Sequence, residues 1–370
     1  MTLIIDNEAV KSVLTAHEVN DALEDAHRAL SDGQAINSPP YRVLTPRDGA
    51  DYGELFPKGG NPTHHSFTSL TGAISTLDIT CDRVDSDLIT YVRSGDELRE
   101  VRVPGTADRK FCGLLYLYSS RTGELLAIIH DGYLQKFRVA GTGAVAAKYL
   151  SRPDSRILAL IGSGWQASAA VECFADALSL TEIRVFSPTR SKRESFAAHW
   201  AKETNLNIIP VDSVSAATAG AQVVYTATNS PKPVVSASDL ESGQFVTGVK
   251  DLEVELAGWE RCDLLTVSRS GPMWQRYAIG GVEVIPEHGR DYWGQVDSSI
   301  EWDALPLLGD VITGRHPGRV SDSDVVGMFL RGDGVQFAAV GARILQLCQQ
   351  AGLGTELPSE LFLQDERYIP

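Results

Sequence analysis

The chain has 370 residues, 43% hydrophobic and 22% charged, a composition typical of a folded globular protein of about two domains. Its 33 basic and 48 acidic residues give a formal net charge of −15, which argues against a nucleic-acid or anionic-membrane partner. The chain contains no apolar run of about 18 residues, so we expect no membrane-spanning segment. Its first residues do not have the pattern of a signal peptide, so we expect none. The five cysteines are widely spaced and include no Cys-x-x-Cys pair, so we expect a cytoplasmic protein without disulfides.

The first 130 residues predict a helix followed mainly by strands. The helix is indicated by apolar residues at helical spacing, namely Val19, Leu23, Ala26 and Leu30. Gly33 ends this helix, and the two prolines that follow force extended backbone over residues 38–44. The strands predicted beyond residue 66 are 88–92, 98–103, 112–118 and 125–129. The first two of them form a hairpin around the turn Ser94-Gly95-Asp96.

At residue 133 the sequence changes to a helix rich in small residues, followed by alternating strands and helices. The predicted strands are 157–161, 183–186, 207–211, 222–226, 245–249 and 263–267. Helical stretches follow residues 165, 190 and 251. This alternation predicts an α/β fold with a doubly wound parallel sheet of the Rossmann type.

Beyond this region the chain returns to helix over residues 335–351 and ends in a polar tail. We therefore predict a Rossmann dinucleotide-binding domain over residues 133–319. Residues 1–132 and 320–370 together form a second, discontinuous α/β domain in this prediction, so the nucleotide domain is an insertion.

The sharpest motif is a Gly-x-Gly-x-x-Ala loop that follows an apolar strand and opens a helix, the context that dinucleotide binding requires. Gly162 permits the tight turn, Gly164 lets a pyrophosphate approach the backbone, and Ala167 allows close helix–strand packing. The helix N-terminus offers amide donors to the phosphates. The predicted contacts in this loop are Gly162, Gly164, Trp165, Gln166 and Ala167. The alternative interpretation is an ordinary glycine-rich turn.

The second strand of the nucleotide domain indicates which dinucleotide binds. An NAD-binding protein usually ends this strand with Asp or Glu, but here Glu182 lies at its beginning. Side chains suited to a 2′-phosphate follow instead, and they are Ser187, Thr189, Arg190 and Lys192. NADP(H) is therefore favoured over NAD(H), although basic residues are also common at a solvated helix start. The remaining predicted cofactor contacts are Thr226, Ala227, Thr228 and Val249, at the ends of later strands.

Three arginines stand out in this acidic chain. Arg138 lies in a helix that is otherwise built of small and apolar residues, so we expect it to be partly buried and to require an anion. Arg42 follows two prolines on an extended segment, and Arg83 ends an apolar stretch. Taken singly, Arg42 and Arg83 fit solvated surface residues, whereas the three together would form a carboxylate clamp.

Residues 111–167, which comprise a strand, a turn, an arginine-bearing helix and the nucleotide loop, resemble the ornithine cyclodeaminase/mu-crystallin family. The Pro-Pro-x-Arg segment and the stretch that begins at Gly334 also fit, so the resemblance covers nearly the whole chain. It implies a homodimer with a Rossmann domain and an α/β dimerisation and substrate domain. It further implies hydride transfer between nicotinamide and an amino-acid Cα–N bond. By matching position, it implies that Arg42, Arg83 and Arg138 hold the substrate carboxylate.

The cyclodeaminases of this family handle the amine with an aspartate in a Gly-Gly-Asp-x-Pro-Gly-Lys-x-Glu-Leu stretch. Here Glu255-Leu256 match that stretch, but Asp251 falls out of register and Lys250 is new. We therefore rank an imine reductase or amino-acid dehydrogenase first, with Asp251 and Lys250 as catalytic residues. An ornithine cyclodeaminase, which forms proline and ammonia, ranks second, and a non-catalytic NADPH-binding protein ranks third. We expect a small amino acid or imino acid as the partner and, from the scattered histidines, no metal site.

Overall fold

The computed structural model describes residues 1–95, 97–105, 110–270, 275–279, 298–302 and 304–364. Asp96, in the predicted hairpin turn, lies outside the described residues. The strands are β1 (Thr2–Ile5), β2 (Ala35–Asn37), β3 (Tyr41–Arg47), β4 (Thr63–Ile74), β5 (Ile79–Ser94), β6 (Glu97–Val103), β7 (Cys112–Ser119), β8 (Leu125–His130), β9 (Ile157–Ile161), β10 (Glu182–Phe186), β11 (Asn207–Pro210), β12 (Val223–Thr226), β13 (Phe245–Gly248), β14 (Leu264–Val267), β15 (Gln275–Ala278), β16 (Val326–Phe329) and β17 (Thr355–Leu357).

The helices are α1 (Asn7–Val13), α2 (Ala16–Ser31), α3 (Gly132–Leu150), α4 (Trp165–Ala177), α5 (Arg190–Glu203), α6 (Val214–Thr218), α7 (Leu256–Glu260), α8 (Leu308–Ile312) and α9 (Gly334–Ala351). Among the described helices, none is long and apolar enough to cross a membrane. The predicted N-terminal helix is divided between α1 and α2, and the apolar face that we predicted belongs to α2, where Val19 and Leu23 are fully buried.

The first sheet has ten strands in the order β15-β3-β4-β5-β7-β8-β1-β17, with β2 beside β4 and β6 beside β5. Because side chains alternate along a strand, Arg83, Asp85 and Asp87 of β5 share one face. Arg42 joins that face, since it pairs across strands with Thr68, which in turn pairs with Asp85. We call this side of the sheet the charged face.

The second sheet has seven parallel strands in the order β11-β10-β9-β12-β13-β16-β14. The strand order reverses between β9 and β12, and a reversal of this kind opens a ligand crevice at the carboxyl ends of the strands. The predicted Rossmann-type parallel sheet is therefore confirmed. Glycines let α3 lie close to both neighbouring layers, because a Cβ on Gly141 would come within 2.8 Å of Leu23 in α2 and one on Gly143 within 2.8 Å of Tyr225 in β12.

Two strands depart from the predicted domain ranges. β16, which we assigned with residues 320–370 to the discontinuous domain, lies between β13 and β14 in the nucleotide sheet. Its four residues are all buried, as the two covered faces of a central parallel strand require. Conversely β15, which we assigned to the range 133–319, pairs in parallel with β3 of the first sheet. The structure also adds β1, a short strand that was not predicted and that pairs in parallel with β8.

Candidate active site

The predicted nucleotide loop connects β9 to α4 at the carboxyl edge of the second sheet. Gly162 has a φ of 130°, and a Cβ there would overlap the carbonyl oxygen of Ala227, so only glycine fits. At Gly164, no described atom lies within 4 Å of the Cβ position, and the backbone faces open space. Gly164 is also the N-cap of α4, and no side chain in the described ranges caps this helix. The open amide groups at this N-terminus fit the pyrophosphate of a dinucleotide.

The other predicted loop residues take three different positions. Ala167 is fully buried, as close packing between helix and strand requires. Trp165 is 50% exposed in the first turn of α4, next to the glycine loop. The Oε1 atom of Gln166 is buried and accepts no hydrogen bond from the described side chains or backbone. Trp165 and Gln166 therefore have surface area and hydrogen-bonding capacity left for a ligand.

A hydroxyl rather than a carboxylate follows the second strand of the nucleotide sheet. Ser187, directly after β10, is buried and accepts a hydrogen bond from the Ser163 hydroxyl over 2.8 Å. Thr189 is the N-cap of α5 and Lys192 lies in its first turn, both exposed. Glu182 begins β10 and so lies at the opposite end of this strand. The position at which NAD-binding proteins usually carry an acidic residue therefore carries serine.

Two arginines at the start of α5 have different environments. Arg190 is exposed, and its Nε lies 2.7 Å from Glu194 one turn further along the same helix. Arg193, which the sequence analysis missed, is buried and donates to the carbonyl oxygen of Ser187 over 2.9 Å. It also pairs with Asp212. A second guanidinium group therefore lies at the end of β10, and only its burial distinguishes it from the other basic residues of this helix.

A buried carboxylate supports the loop after β12. Glu253 is fully buried, and burial raises the pKa of its carboxyl. Its Oε2 accepts a hydrogen bond from the Thr226 hydroxyl at 3.0 Å, and its Oε1 accepts one from the Thr228 amide at 2.6 Å. The Ala227 amide between them donates to the carbonyl of Ile161 over 2.7 Å. Glu253, which was not predicted, thus fixes the predicted residues 226–228 beside the nucleotide loop.

The segment after β13 carries both predicted catalytic residues. The Val249 amide donates over 2.9 Å to the carbonyl at the end of β12, so Val249 borders the same loop. Lys250 lies within electrostatic range of Glu100 on β6, which belongs to the other sheet. Asp251 is buried, and its carbonyl oxygen accepts a hydrogen bond from the Trp259 indole over 2.8 Å. Lys250 therefore lies where the edge of the nucleotide sheet meets the first sheet, and Asp251 is held against the nucleotide domain by Trp259.

Two of the predicted arginines meet over one aromatic ring. The guanidinium carbons of Arg138 and Arg83 lie 4.5 and 5.1 Å from the centroid of Phe337. Arg83 is ion-paired with Asp131 at 2.5 Å and with Asp85 at 2.6 Å. Burial alone would lower the pKa of Arg83, but these two carboxylates raise it. The charge of Arg83 is therefore balanced by its own neighbours.

Arg83 is paired with two carboxylates, whereas the guanidinium group of Arg138 donates a single hydrogen bond to the described residues. Its Nη1 donates to Oε1 of Gln336 over 3.2 Å, whereas Nε has no partner in the part of the chain that is described. The residue is only 5% exposed, and burial, reinforced by Arg83, lowers its pKa to about 10. A buried guanidinium with spare donors is a strong receptor for a carboxylate.

Arg42, the third predicted arginine, has a different partner. Its Nη1 lies 3.2 Å from Oε2 of Glu100, and the Tyr91 hydroxyl donates to the same oxygen over 3.1 Å. Burial acts to raise the pKa of Glu100, but Arg42 and Tyr91 outweigh burial and lower it. Arg83 and Arg138 are thus brought together, while Arg42 lies on the charged face two strands away from Arg83, in an ion pair with the β5–β6 hairpin.

The start of α9 contributes two residues that the sequence analysis missed. Asp333 is the N-cap of the helix, and its Oδ1 accepts a hydrogen bond from the Gln336 amide at 2.8 Å. The Gln336 side chain is fully buried and lies between Arg138 and the carbonyl oxygen of Arg331, to which it donates over 3.3 Å. The available signal was a pair of polar residues at the start of an otherwise apolar helix.

Known proteins share both the sequence and the fold. The family model for the ornithine cyclodeaminase/mu-crystallin family matches residues 106–331. An uncharacterized cyclodeaminase of Sinorhizobium fredii is 30% identical over 252 residues, which cover 66% of this chain and 72% of that protein.

Two solved structures share the fold over nearly the whole chain. The Δ1-pyrroline-2-carboxylate reductase of Thermococcus litoralis, solved with NADH and L-proline, has a TM-score of 0.73 at 18% identity and covers 96% of this chain and 100% of its own. An archaeal alanine dehydrogenase dimer with bound NAD has a TM-score of 0.72 at 20% identity and covers 96% and 99%. With the family match over more than half of its length, this chain belongs to the ornithine cyclodeaminase/mu-crystallin family.

Proposed function

We propose that this protein is an NAD(P)(H)-dependent oxidoreductase that transfers hydride at the Cα–N bond of a small amino acid or imino acid. The observation that carries this proposal is Arg138, a buried guanidinium with spare donors between the charged face and the edge of the nucleotide sheet. The activities in the names of similar proteins, a pyrroline-carboxylate reductase and an alanine dehydrogenase, support it. In the reducing direction the substrate is an imine and the product an amino acid.

The cofactor is proposed to bind across the crevice between β9 and β12. The N-terminus of α4 binds the pyrophosphate, because Gly164 leaves its amide groups open. Residues 226–228, fixed by Glu253, and Val249 border the nicotinamide end. Bound NAD(P)H supplies the hydride, and binding, orientation and proton placement remain with the side chains of this chain.

We propose NADP(H) as the preferred cofactor, with NAD(H) as the alternative. Ser187 replaces the acidic residue that would repel a 2′-phosphate, and Arg190 and Lys192 supply positive charge beside it. Arg193 adds a guanidinium group at the end of the same strand. The two similar structures contain NADH or NAD, so the preference for NADP(H) depends on these four side chains.

Arg138 is proposed to bind the substrate carboxylate. The hydrogen bond that it donates to Gln336 and the ring of Phe337 hold its guanidinium group in one orientation, which favours bidentate binding. Arg83 lies against the same ring and, already paired with Asp131, is proposed as a second and weaker contact. Arg42 remains the third proposed contact, farther along the charged face.

Lys250 and Asp251 remain candidates for the group that keeps the substrate nitrogen protonated. They are the first and second residues after Val249, and that sequence position supports a location near the nicotinamide end. A protonated nitrogen makes the imine carbon a better hydride acceptor, and such proton placement contributes a factor of about 10²–10⁴ to catalysis.

We further propose a cytoplasmic homodimer. A groove between α2, β4 and α9 is lined by apolar residues such as Ala26, Ile74 and Leu345 together with charged and polar residues, a mixture that suits an interface with a second copy. The similar archaeal alanine dehydrogenase is a dimer. The five cysteines are free in this structure, which suits a reducing compartment. Sedimentation of the purified protein measures the number of subunits.

The test is consumption of NADPH and of NADH, followed by absorbance, with 2-oxo acids plus ammonia or methylamine and with cyclic imino acids such as Δ1-pyrroline-2-carboxylate. Turnover of an imine, faster with NADPH, supports both the reaction and the cofactor preference. In parallel, ornithine with NAD⁺ is scored for proline and ammonia, since their formation without net cofactor consumption identifies a cyclodeaminase instead. Tight NADPH binding with no turnover in either assay identifies a binding protein and refutes the proposal.

A further inference from the structure

Buried polar atoms without hydrogen-bond partners cluster around Arg138. Within the described ranges no partner is found for Nε of Arg138, Oδ1 of Asp131, Oδ2 of Asp333 or the hydroxyl of Tyr225. Asp131, Asp333 and Tyr225 all lie within electrostatic range of Arg138. Buried polar atoms are paired in the great majority of cases, so such a cluster indicates where a polar ligand supplies the missing bonds. It contains donors for a carboxylate and acceptors for an N–H group.

The proposed substrate carries both of these groups on one carbon atom. Standard bond lengths and angles separate the nitrogen of an α-imino acid from its carboxylate carbon by about 2.5 Å. If Arg138 binds the carboxylate, the group that accepts the N–H therefore has to lie close to Arg138. Among the described residues, the carboxylates that act most strongly on the charge of Arg138 are those of Asp131 and Asp333.

These two carboxylates differ in how far they are committed to other partners. Each has one oxygen without a partner among the described residues, but Oδ2 of Asp131 accepts hydrogen bonds from both Nε and Nη2 of Arg83, at 2.8 and 2.5 Å, so the charge of Asp131 is already paired with a guanidinium. Oδ1 of Asp333 caps α9, while its Oδ2 accepts nothing from the described chain. Asp333 also follows β16, a strand of the nucleotide sheet, at the carboxyl edge where the cofactor is proposed to bind.

The backbone around Asp333 holds it against Arg138. A Cβ on the neighbouring Gly332 would lie 3.1 Å from Nη1 of Arg138, so the chain passes directly over the guanidinium group. On the other side, a Cβ on Gly334 would overlap the backbone of Thr71 in β4. Asp333 is therefore fixed between the edge of the nucleotide sheet and the first sheet.

We propose that Asp333 binds the substrate nitrogen, with Oδ2 accepting the N–H of the protonated imine while Oδ1 keeps α9 capped. This inference rests on the proposed function. Hydride adds to the imine carbon, the C=N π electrons become the nitrogen lone pair, and the N–H proton stays on the resulting amine. Asp333 thus favours the protonated imine, the form that accepts hydride.

The electrostatic environment of Asp333 agrees with this role. The charged groups that face it are Arg138 from α3 and Arg269 from the segment after β14. Burial outweighs both arginines and raises the pKa of Asp333 to about 6. A carboxyl group that is ionised just above pH 6 can pair with a protonated imine at neutral pH.

The test is Asp333→Asn, because asparagine is as good an N-cap as aspartate and so preserves α9. Asp6→Asn is the matched control, since Asp6 caps α1 in the same way, through the Ala9 amide, at an exposed position. Asp251→Asn represents the competing candidate. Each variant is assayed for kcat/KM between pH 5 and 9 with the imine that the parent reduces.

Ligand binding gives a second measurement that does not depend on turnover. With oxidised cofactor present, calorimetry compares L-proline with cyclopentanecarboxylate if the substrate is cyclic, or L-alanine with propionate if it is open-chain. In each pair only the amino acid has a nitrogen. We expect Asp333→Asn to weaken amino-acid binding about 10- to 100-fold, the worth of a hydrogen bond to a charged group, and to leave the nitrogen-free acid within twofold.

We also expect Asp333→Asn to lower kcat/KM about 100-fold or more and to abolish its pH dependence near 6, while Asp6→Asn matches the parent. Equal loss for both acids of a pair would mean that Asp333 only positions Arg138, and it would overturn the inference. If Asp333→Asn keeps the parental kcat/KM and Asp251→Asn loses it, the inference is overturned and Asp251 is the residue that binds the nitrogen. If the unmodified protein reduces no imine, the proposed function itself fails, which is a separate result.

Discussion

Substitution of the two loop glycines separates cofactor binding from folding. Gly164→Ala adds a methyl group at a φ of −98°, with no described atom within 4 Å of the new Cβ. Gly162→Ala adds one at a φ of 130°, where it overlaps the carbonyl oxygen of Ala227 and lies 2.8 Å from the carbonyl carbon. We expect the first variant to lose only cofactor affinity and the second to lose stability as well.

The magnitudes follow from these surroundings. Alanine in the backbone conformation of Gly162 costs about 1–3 kcal/mol, and moving the Ala227 peptide strains its 2.7 Å hydrogen bond to Ile161, which adds about 1 kcal/mol. For one cooperative transition of 370 residues, this lowers the Tm by roughly 3–5 °C. Gly164→Ala should change stability by less than about 0.5 kcal/mol. Its methyl group instead blocks amide bonds to the pyrophosphate, which costs about 10- to 100-fold in Kd.

The assay combines thermal unfolding without cofactor with NADPH titration followed by tryptophan fluorescence. Gly33→Ala is the control for backbone strain, because Gly33 has a φ of 70° and no described atom lies within 4 Å of its Cβ position. It should show a smaller loss of Tm than Gly162→Ala and no loss of affinity. If Gly164→Ala binds NADPH with the parental Kd, the pyrophosphate does not lie on the N-terminus of α4 and the cofactor placement is wrong.

Three further substitutions test the site and the fold. Ser187→Asp should lower kcat/KM for NADPH at least tenfold and spare NADH, since a carboxylate repels the 2′-phosphate; an unchanged cofactor ratio contradicts this. Arg138→Gln should lower kcat/KM for the imine about 100-fold while calorimetry finds the NADPH Kd unchanged; normal turnover would place the carboxylate elsewhere. Burial lowers the pKa of His27 from 6.5 to about 4. The neutral ring therefore contributes about 3 kcal/mol to the free energy of unfolding above pH 6.5, and this contribution is lost as the pH falls from 6.5 to 4. Urea unfolding of His27→Leu should show a flatter acid limb, and an unchanged slope would assign acid unfolding to other groups.

The arrangement of the residues proposed to bind the cofactor could be predicted because its information is local in sequence. A strand, a glycine loop and a helix follow one another within residues 157–177, so the pattern itself specifies the geometry. In a parallel sheet the carboxyl ends of all strands meet at one edge, and this rule predicts that Thr226 and Val249 lie beside that loop.

The supporting side chains could not be predicted, because their partners are distant in sequence. Gln336 lies 198 positions from Arg138 in the sequence, and its polarity alone does not identify Arg138 as its hydrogen-bond partner. Glu253 lies 27 positions from Thr226 and resembles an ordinary surface acid until its burial is known. Arg42, which taken singly fitted a solvated surface residue, pairs with Glu100, and this ion pair depends on the pairing of β6 with β5, which the sequence around Arg42 does not contain.

Two strands belong to the other sheet from the one predicted, and their positions explain how the site is assembled. A four-residue apolar run such as β16 fits either sheet by composition, and only its burial on both faces assigns it to the nucleotide sheet. Because β16 runs parallel to β13, the chain leaves it at the carboxyl edge, and the next residues bring Asp333 and Gln336 to Arg138. β15, which follows β14 of the nucleotide sheet in sequence, pairs instead with β3 of the first sheet and places Arg276 opposite Arg42. The residues around Arg138 therefore come from both sheets, so we expect substrate binding at this site to depend on the packing of the two sheets against each other.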